Sequence, residues 1–219
     1  MDEKRTRNTP LGKSAAVYQL KITLPNLPVW RRLLVRGDAS LELLHAVIQV
    51  AMGWTNSHLH QFTIGKNRYS DPSTNEDMGF GGPPDLDEGK ATLMQVAPRE
   101  KAKFIYQYDF GDSWEHSIVV EKIHEPDAAR KGFAECLDGG CACPPEDCGG
   151  IGGYMDLLEI IQDPKHDQYE SMMDWLGDEF DPEAFDIGRV NTYLRKLKWP
   201  RTTENQLGKV LMARDGYQG

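Results

Sequence analysis

Three groups of residues in this chain have the types and spacing that chemistry requires. Four cysteines, Cys136, Cys141, Cys143 and Cys148, fall in one short segment and offer up to four soft ligands of the kind that hold Zn²⁺ in a closed tetrahedral site. They lack the paired Cys-x-x-Cys knuckles of common zinc modules. Gly139, Gly140, Gly149 and Gly150 beside them would let the backbone wrap an ion or form a metal-free loop equally well. A second group is built on histidine. His58 and His60 are two positions apart, so on an extended chain both point to one side, and Asp109, Asp112 and His116 lie on or beside a later turn. Brought together, His58, His60 and His116 would be metal ligands, with Asp109, Asp112 or Glu146 as base or further ligand. Without a metal or a reaction to serve, the same groups would satisfy one another as a hydrogen-bonded network, the commoner use of such residues. The third group is Pro144-Pro145-Glu146-Asp147-Cys148-Gly149-Gly150, continuing to Gly153-Tyr154. Here a rigid turn gives way to glycines that lead into a helix and can present backbone N–H groups to an anion. The segment lacks the Gly-Lys-Ser/Thr ending of a nucleotide loop, and its flanking acids disfavour phosphate.

The elements that must position these groups follow from periodicity. Val17 to Leu24 and Val29 to Arg36 alternate as strands, joined by Pro25-Asn26-Leu27-Pro28 into a hairpin. Asp38 or Ser40 caps a helix carried by Leu44, Val47, Ile48 and Ala51 and ended by Gly53. Leu59 to Ile64 reads as a strand with Arg68-Tyr69 as its return, followed by a loop from Ser70 to Lys90 that reads as a solvated connection or a functional loop. After a short helix at Thr92 to Val96, a second hairpin places Phe104, Tyr106, Tyr108 and Phe110 on one face, turns at Gly111-Asp112, and sets Trp114, His116, Ile118 and Val120 on one face of its return. Three helices follow, carried by Tyr154 to Ile161, by Tyr169 to Leu176, and by Phe185 to Leu197 behind an Asp181-Pro182 cap. The expected fold is α+β, with a β-grasp-like mixed sheet built from two hairpins and a packed helix, and with C-terminal helices covering a face or edge. The expected organisation is a flexible arm over 1–15, a single α+β domain over 16–200 and a polar tail over 201–219. The amphipathic C-terminal helices offer a homodimer surface or ordinary burial.

Composition bounds the function. The 219 residues carry Lys+Arg 25 against Asp+Glu 34, a net charge of −9, with 39% hydrophobic residues, which excludes a wholly disordered chain and argues against general coating of DNA. No run approaches ~20 apolar residues, and the charged start has no secretory pattern, so the expectation is a cytoplasmic protein without a membrane span. In that compartment thiols or a metal site are favoured over disulfides. Of the residues near Trp30, Trp54, Tyr106, Tyr108, Phe110 and Trp114, only Arg31, Arg32 and Arg36 are a basic cluster. The rings therefore read as core, with the arginines on a solvated strand face.

Three blocks in order carry a resemblance: Leu44-His45-Ala46-Val47-Ile48-Gln49-Val50-Ala51-Met52-Gly53-Trp54 with His58-Leu59-His60-Gln61-Phe62, then Tyr108-Asp109-Phe110-Gly111-Asp112-Ser113-Trp114-Glu115-His116, then Pro144 to Gly150 through Tyr154. Together they resemble the plasmid pRiA4b ORF-3-like family, small bacterial and archaeal proteins of which some are passengers in transposons. The resemblance spans roughly residues 16 to 197. It implies a single domain and no assigned activity. Cys136 and Cys148 are more characteristic of the family than Cys141 and Cys143, so a site built on the shared blocks would draw on His58, His60, Asp109, Asp112, His116, Glu146 and Asp147.

Three functional expectations result. The first is a cytoplasmic binding or adaptor protein of a mobile element, presenting Trp54, His60, Asp112, Trp114, Glu146 and Asp147 to a protein or nucleic-acid partner. The second is a metal-dependent, hydrolase-like enzyme with catalytic candidates Asp109, Asp112, His116 and Glu146, and with Zn²⁺ on the histidines or on the cysteines. The third is that all three blocks only lock the fold together.

Overall fold

A computed structural model describes residues 15–74, 84–127, 129, 132–177 and 180–214. The expected N-terminal arm lies outside these residues except for Ala15. The first hairpin forms as β1 (Val17–Thr23) and β2 (Trp30–Arg36), paired from Val17–Arg36 to Thr23–Trp30. Helix α1 (Leu41–Met52) starts where the Ser40 side chain accepts from Leu43 N and stops where Gly53 turns left-handed. All of α1 except Glu42 is buried, because the sheet covers one side of it and later helices cover the other. Strands β3 (His60–Ile64), β4 (Asn67–Ser70) and β5 (Leu86–Asp87) follow, then α2 (Leu93–Val96), and then β6 (Lys103–Tyr108) and β7 (Trp114–His124). Of the expected loop from Ser70 to Lys90, residues 75–83 lie outside the described residues. What remains is more than a solvated connection, since Ser70 and Glu88 are buried.

One sheet holds every strand in the order β5-β4-β3-β6-β7-β1-β2, with β8 (Ala134–Gly140) at the far edge. All pairs are antiparallel except β4 with β5. The two expected hairpins are thus neighbours, joined by β1 against β7. Alternation fixes the buried face, and Tyr18, Leu20, Ile22, Leu33, Val35, Phe104, Tyr106, Tyr108, Trp114, His116, Ile118 and Val120 all turn into the core. Burying each such aliphatic side chain contributes about 1.5–3 kcal/mol.

The remaining helices are α3 (Gly150–Gln162), α4 (Tyr169–Leu176), α5 (Ile187–Leu194) and α6 (Glu204–Arg214). Helix α5 packs on the edge strand β8 and on α1, so a C-terminal helix covers an edge of the sheet. The structure corrects several expectations. Phe110 is exposed, because β6 ends at Tyr108 and Asp109 adopts a left-handed φ of 56°. Asp186, not Asp181, caps α5, its carboxylate accepting from Arg189 N. The supposed polar tail contains α6, whose Leu207, Val210 and Leu211 are buried. Arg31 and Arg36 are buried rather than solvated. Among the described residues no helix is long and apolar enough to cross a membrane.

Candidate metal centre

The site forms where the first block's exit, the β6–β7 turn and the Pro-Pro segment meet. Trp54, just past α1, is 1% exposed, and its Nε1 donates to Pro144 O at 3.1 Å, seating the segment 144–147 against residues 54–58. Pairing of His60 with Tyr108 sets β3 beside β6. Asp109 N continues that ladder to Leu59 O at 2.9 Å, which brings the end of β6 alongside His58. The third block is pinned from the other side, where Gly149 N donates to Asp112 Oδ2 at 3.1 Å. Gly153 has to be glycine for this turn, since a Cβ there would lie 1.9 Å from Cys148 O.

His58 is the centre of the arrangement. Its Nε2 lies 3.1 Å from Asp147 Oδ1, 3.7 Å from Asp109 Oδ2 and 3.7 Å from Glu146 Oε2. The nitrogen is buried, yet none of these contacts has hydrogen-bond geometry, so it has no hydrogen-bond partner. Two of the carboxylates are anchored through the other oxygen. Asp109 Oδ1 accepts from Gly111 N at 2.8 Å and Asp112 N at 3.3 Å. Glu146 Oε1 accepts from Thr55 N, Thr55 Oγ1 and the Tyr108 hydroxyl at 2.7, 2.9 and 3.1 Å. Asp109 Oδ2 and Glu146 Oε2 are turned toward His58, and Oε2 also stands 3.3 Å from the Tyr108 hydroxyl, whose proton lies between the two Glu146 oxygens. Burial and Glu146 hold the Tyr108 phenol well above its ordinary range, so it stays a donor.

These distances would suit ligands around one ion. With metal–ligand bonds of about 2.1 Å, separations of 3.1 and 3.7 Å subtend angles of roughly 95 and 125°. A neighbouring ligand at such an angle would stand well off the imidazole lone pair, in keeping with the close pair's lack of hydrogen-bond geometry. His58, Asp109 and Asp147 offer ligand atoms all within 4.8 Å of one another, and among the described residues they are the only such group of three or more His, Cys, Asp or Glu. One imidazole with carboxylates suits Mn²⁺, Fe²⁺ or Zn²⁺.

The other expected ligands go elsewhere. His60 stacks on His45, ring centroids 3.5 Å apart and 4° from parallel, and its Nε2 is 2.9 Å from Glu88 Oε2. The Tyr106 hydroxyl accepts from Gln49 Nε2, so its own proton goes to His45 Nδ1 at 2.8 Å, and His45 Nε2–H donates to Asn56 Oδ1 at 2.7 Å. Burial pushes His45 down to about 3 and His60 to about 4, and raises Glu88 to about 7. Two stacked imidazoles in contact are thereby kept neutral. His45 and Glu88 were not singled out from sequence. A histidine on the apolar face of α1 was the available signal, whereas Glu88 sits in a segment without periodicity.

His116 is not a ligand either. It is fully buried, its Nδ1–H donates to Tyr106 O at 3.1 Å, its ring meets Trp54 edge-on, and burial lowers it to about 4. Trp54 and Trp114, expected on a binding surface, are both core residues, and Asp112 serves as a clamp on Gly149. The cysteines do not converge on a common point. Burial pushes Cys136 up to about 11, Cys148 to about 12, and Cys143 higher, so all three are thiols at neutral pH. His58, His60, Ser57, Asp71, Glu88 and Glu204 are among the residues lining a cavity of about 360 Å³ beside the carboxylate cluster.

Comparison with known proteins agrees with the three blocks. The model of the plasmid pRiA4b ORF-3-like protein family matches residues 16–189. The chain is 36% identical over 199 residues to the uncharacterized protein y4hQ of Sinorhizobium fredii (strain NBRC 101917 / NGR234), covering 85% of this chain and 96% of that one. It also resembles the crystal structure of a protein of unknown function, MM3350 from Methanosarcina mazei Go1, at 33% identity and a TM-score of 0.69. That alignment covers 80% of this chain and 98% of the other.

Proposed function

The chain belongs to the plasmid pRiA4b ORF-3-like family, and we propose that His58, Asp109 and Asp147 hold one divalent metal ion in it and use that ion hydrolytically. The observation that carries this reading is the buried, unpartnered Nε2 of His58 amid three carboxylates. A buried imidazole nitrogen without a partner costs about 1–3 kcal/mol, and a cation removes that cost together with the mutual repulsion of the acids. Such an ion polarises a substrate oxygen and lowers the pKa of a coordinated water. Glu146, with one oxygen fixed and the other facing the centre, is placed to take the water's proton. Among the described residues the adjoining cavity is lined by Glu42, Asp71, Glu88 and Glu204 and by no Lys or Arg, so its substrate is an uncharged or cationic ester or amide, and a phosphoester is disfavoured.

The test is turnover on a panel of esters, amides and phosphoesters by chelator-treated and metal-reloaded protein. Ester or amide hydrolysis that requires the metal and vanishes in His58→Ala and Asp109→Asn is expected. Metal binding without turnover on any member, or turnover indifferent to chelator, would sink the hydrolytic reading.

A binding or adaptor role has an observation of its own. Ile151, Met155 and Trp175 are exposed on α3 and α4, and Trp175 borders a hollow that also includes Asp147. A cytoplasmic setting, a mobile-element association and a homodimer through the C-terminal helices belong to this second reading and rest on the resemblance and on amphipathicity. So does the β-grasp-like description of the core, which rests on α1 lying across the sheet between the first hairpin and β3.

A further inference from the structure

Among the described residues, Arg31 is a buried cation with no anionic partner. It stands on β2, 2% exposed, with Nε donating to Ala51 O at 2.7 Å and Nη1 to Trp30 O and Gly140 O at 2.8 Å each. The Phe185 ring stacks on the guanidinium at 4.3 Å. Gly139 makes room for that stack, since a Cβ there would come within 2.6 Å of the Phe185 ring. Every one of these partners is neutral. Cys136 and Cys143 nearby supply no charge, because burial holds both protonated, and a guanidinium cannot shed its proton to escape the cost of burial. Nη2 is the part of the fork left without a hydrogen bond.

Arg31 lines a cavity of about 470 Å³ together with Arg189 and Arg214 and with the apolar Val50, Met52 and Phe185. The one acid in that lining, Asp186, is turned to Arg189 N as the cap of α5. Arg31 and Arg189 beside one hollow, in a chain of net charge −9, make a local positive site with greasy walls. We propose that this cavity binds a small organic carboxylate, its head on Arg31 Nη2 and its apolar body against Val50, Met52 and Phe185.

The test is calorimetric titration of the full chain with sodium hexanoate, and separately with inorganic phosphate, in a chloride buffer. Saturable hexanoate binding, stronger than phosphate, is expected, with affinity reduced about tenfold or more in Arg31→Gln. Should that variant not fold, Arg189→Ala at the rim decides, with a weakening of about three- to tenfold expected. Arg195→Ala, at the opposite end of the same helix and outside the lining, is expected to bind like the wild type. No saturable binding of hexanoate by about 10 mM, equal binding of phosphate, or an equal loss in Arg195→Ala would each overturn the proposal.

Discussion

At the scale of single residues, what separates the histidines is the company of the unpartnered nitrogen: Nε2 of His58 and of His116 are both buried without a hydrogen-bond partner, but only that of His58 stands among carboxylates. His45 uses both nitrogens on Tyr106 and Asn56, and His116 is sealed in the core, so both are held neutral far below pH 6.5. In the unfolded chain they protonate near that value. Between pH 6.5 and about 4 the unfolded state therefore binds more protons, and stability is complete above 6.5 and lost as pH falls through that window. Glu88, raised to about 7, works the other way, removing stability as pH rises from about 4.5 to 7, yet it is one group against several. Urea unfolding is predicted to show a free energy falling between pH 6.5 and 4.5 by about 1.4 kcal/mol per pH unit for each net proton. A stability flat across that interval would mean these imidazoles are not buried neutral. The separation of His58 from His60 was not legible in the sequence. The rule that alternate residues share a side applies inside a strand, and β3 begins at His60, leaving His58 in the preceding turn.

At the scale of elements, what the sequence revealed depended on how local the cause was. The first hairpin, α1 with its Ser40 cap, and the second hairpin are set by periodicity and turn residues within a few positions, and they form as expected. Strand β8 was not, because Cys136-Leu137-Asp138-Gly139-Gly140 has little strand propensity and is extended by pairing with β2. Helix α6 was missed for a similar reason, its apolar stripe being only Leu207, Val210 and Leu211 in a polar run. Leu211→Ala is predicted to destabilise the protein by about 2–5 kcal/mol in denaturant unfolding; a change under about 0.5 kcal/mol would return residues 204–214 to the status of a tail. In α3, neighbouring glycines give a sharper contrast. Gly152→Ala has open space and should be neutral or slightly stabilising, whereas Gly153→Ala drives a Cβ into Cys148 O and should lower the melting temperature and loosen the 144–148 turn. Equal effects of the two would remove the role assigned to that close approach.

At the scale of the whole molecule, the proposed metal centre is assembled from segments far apart in the chain: residue 58 before β3, residue 109 at the end of β6, and residues 146–147 ahead of α3. An ion that binds only when these meet stabilises the complete fold, by about 2.7 kcal/mol at a hundredfold excess over Kd. The melting temperature of chelator-treated protein is thus predicted to rise on adding Mn²⁺ or Zn²⁺, and to rise far less for Asp109→Asn. The candidate residues His58, Asp109, Glu146 and Asp147 were visible in the sequence as types. Their convergence was not, because it depends on the Trp54–Pro144 contact across 90 positions. The most direct measurement is calorimetric titration of chelator-treated wild type and His58→Ala with Mn²⁺ and with Zn²⁺, with a thiol titration alongside. About one equivalent bound by the wild type, none by His58→Ala, and thiol reactivity unchanged by metal is the predicted result. Failure of both ions to bind the wild type, or binding that persists in His58→Ala while the thiols become protected, would contradict it.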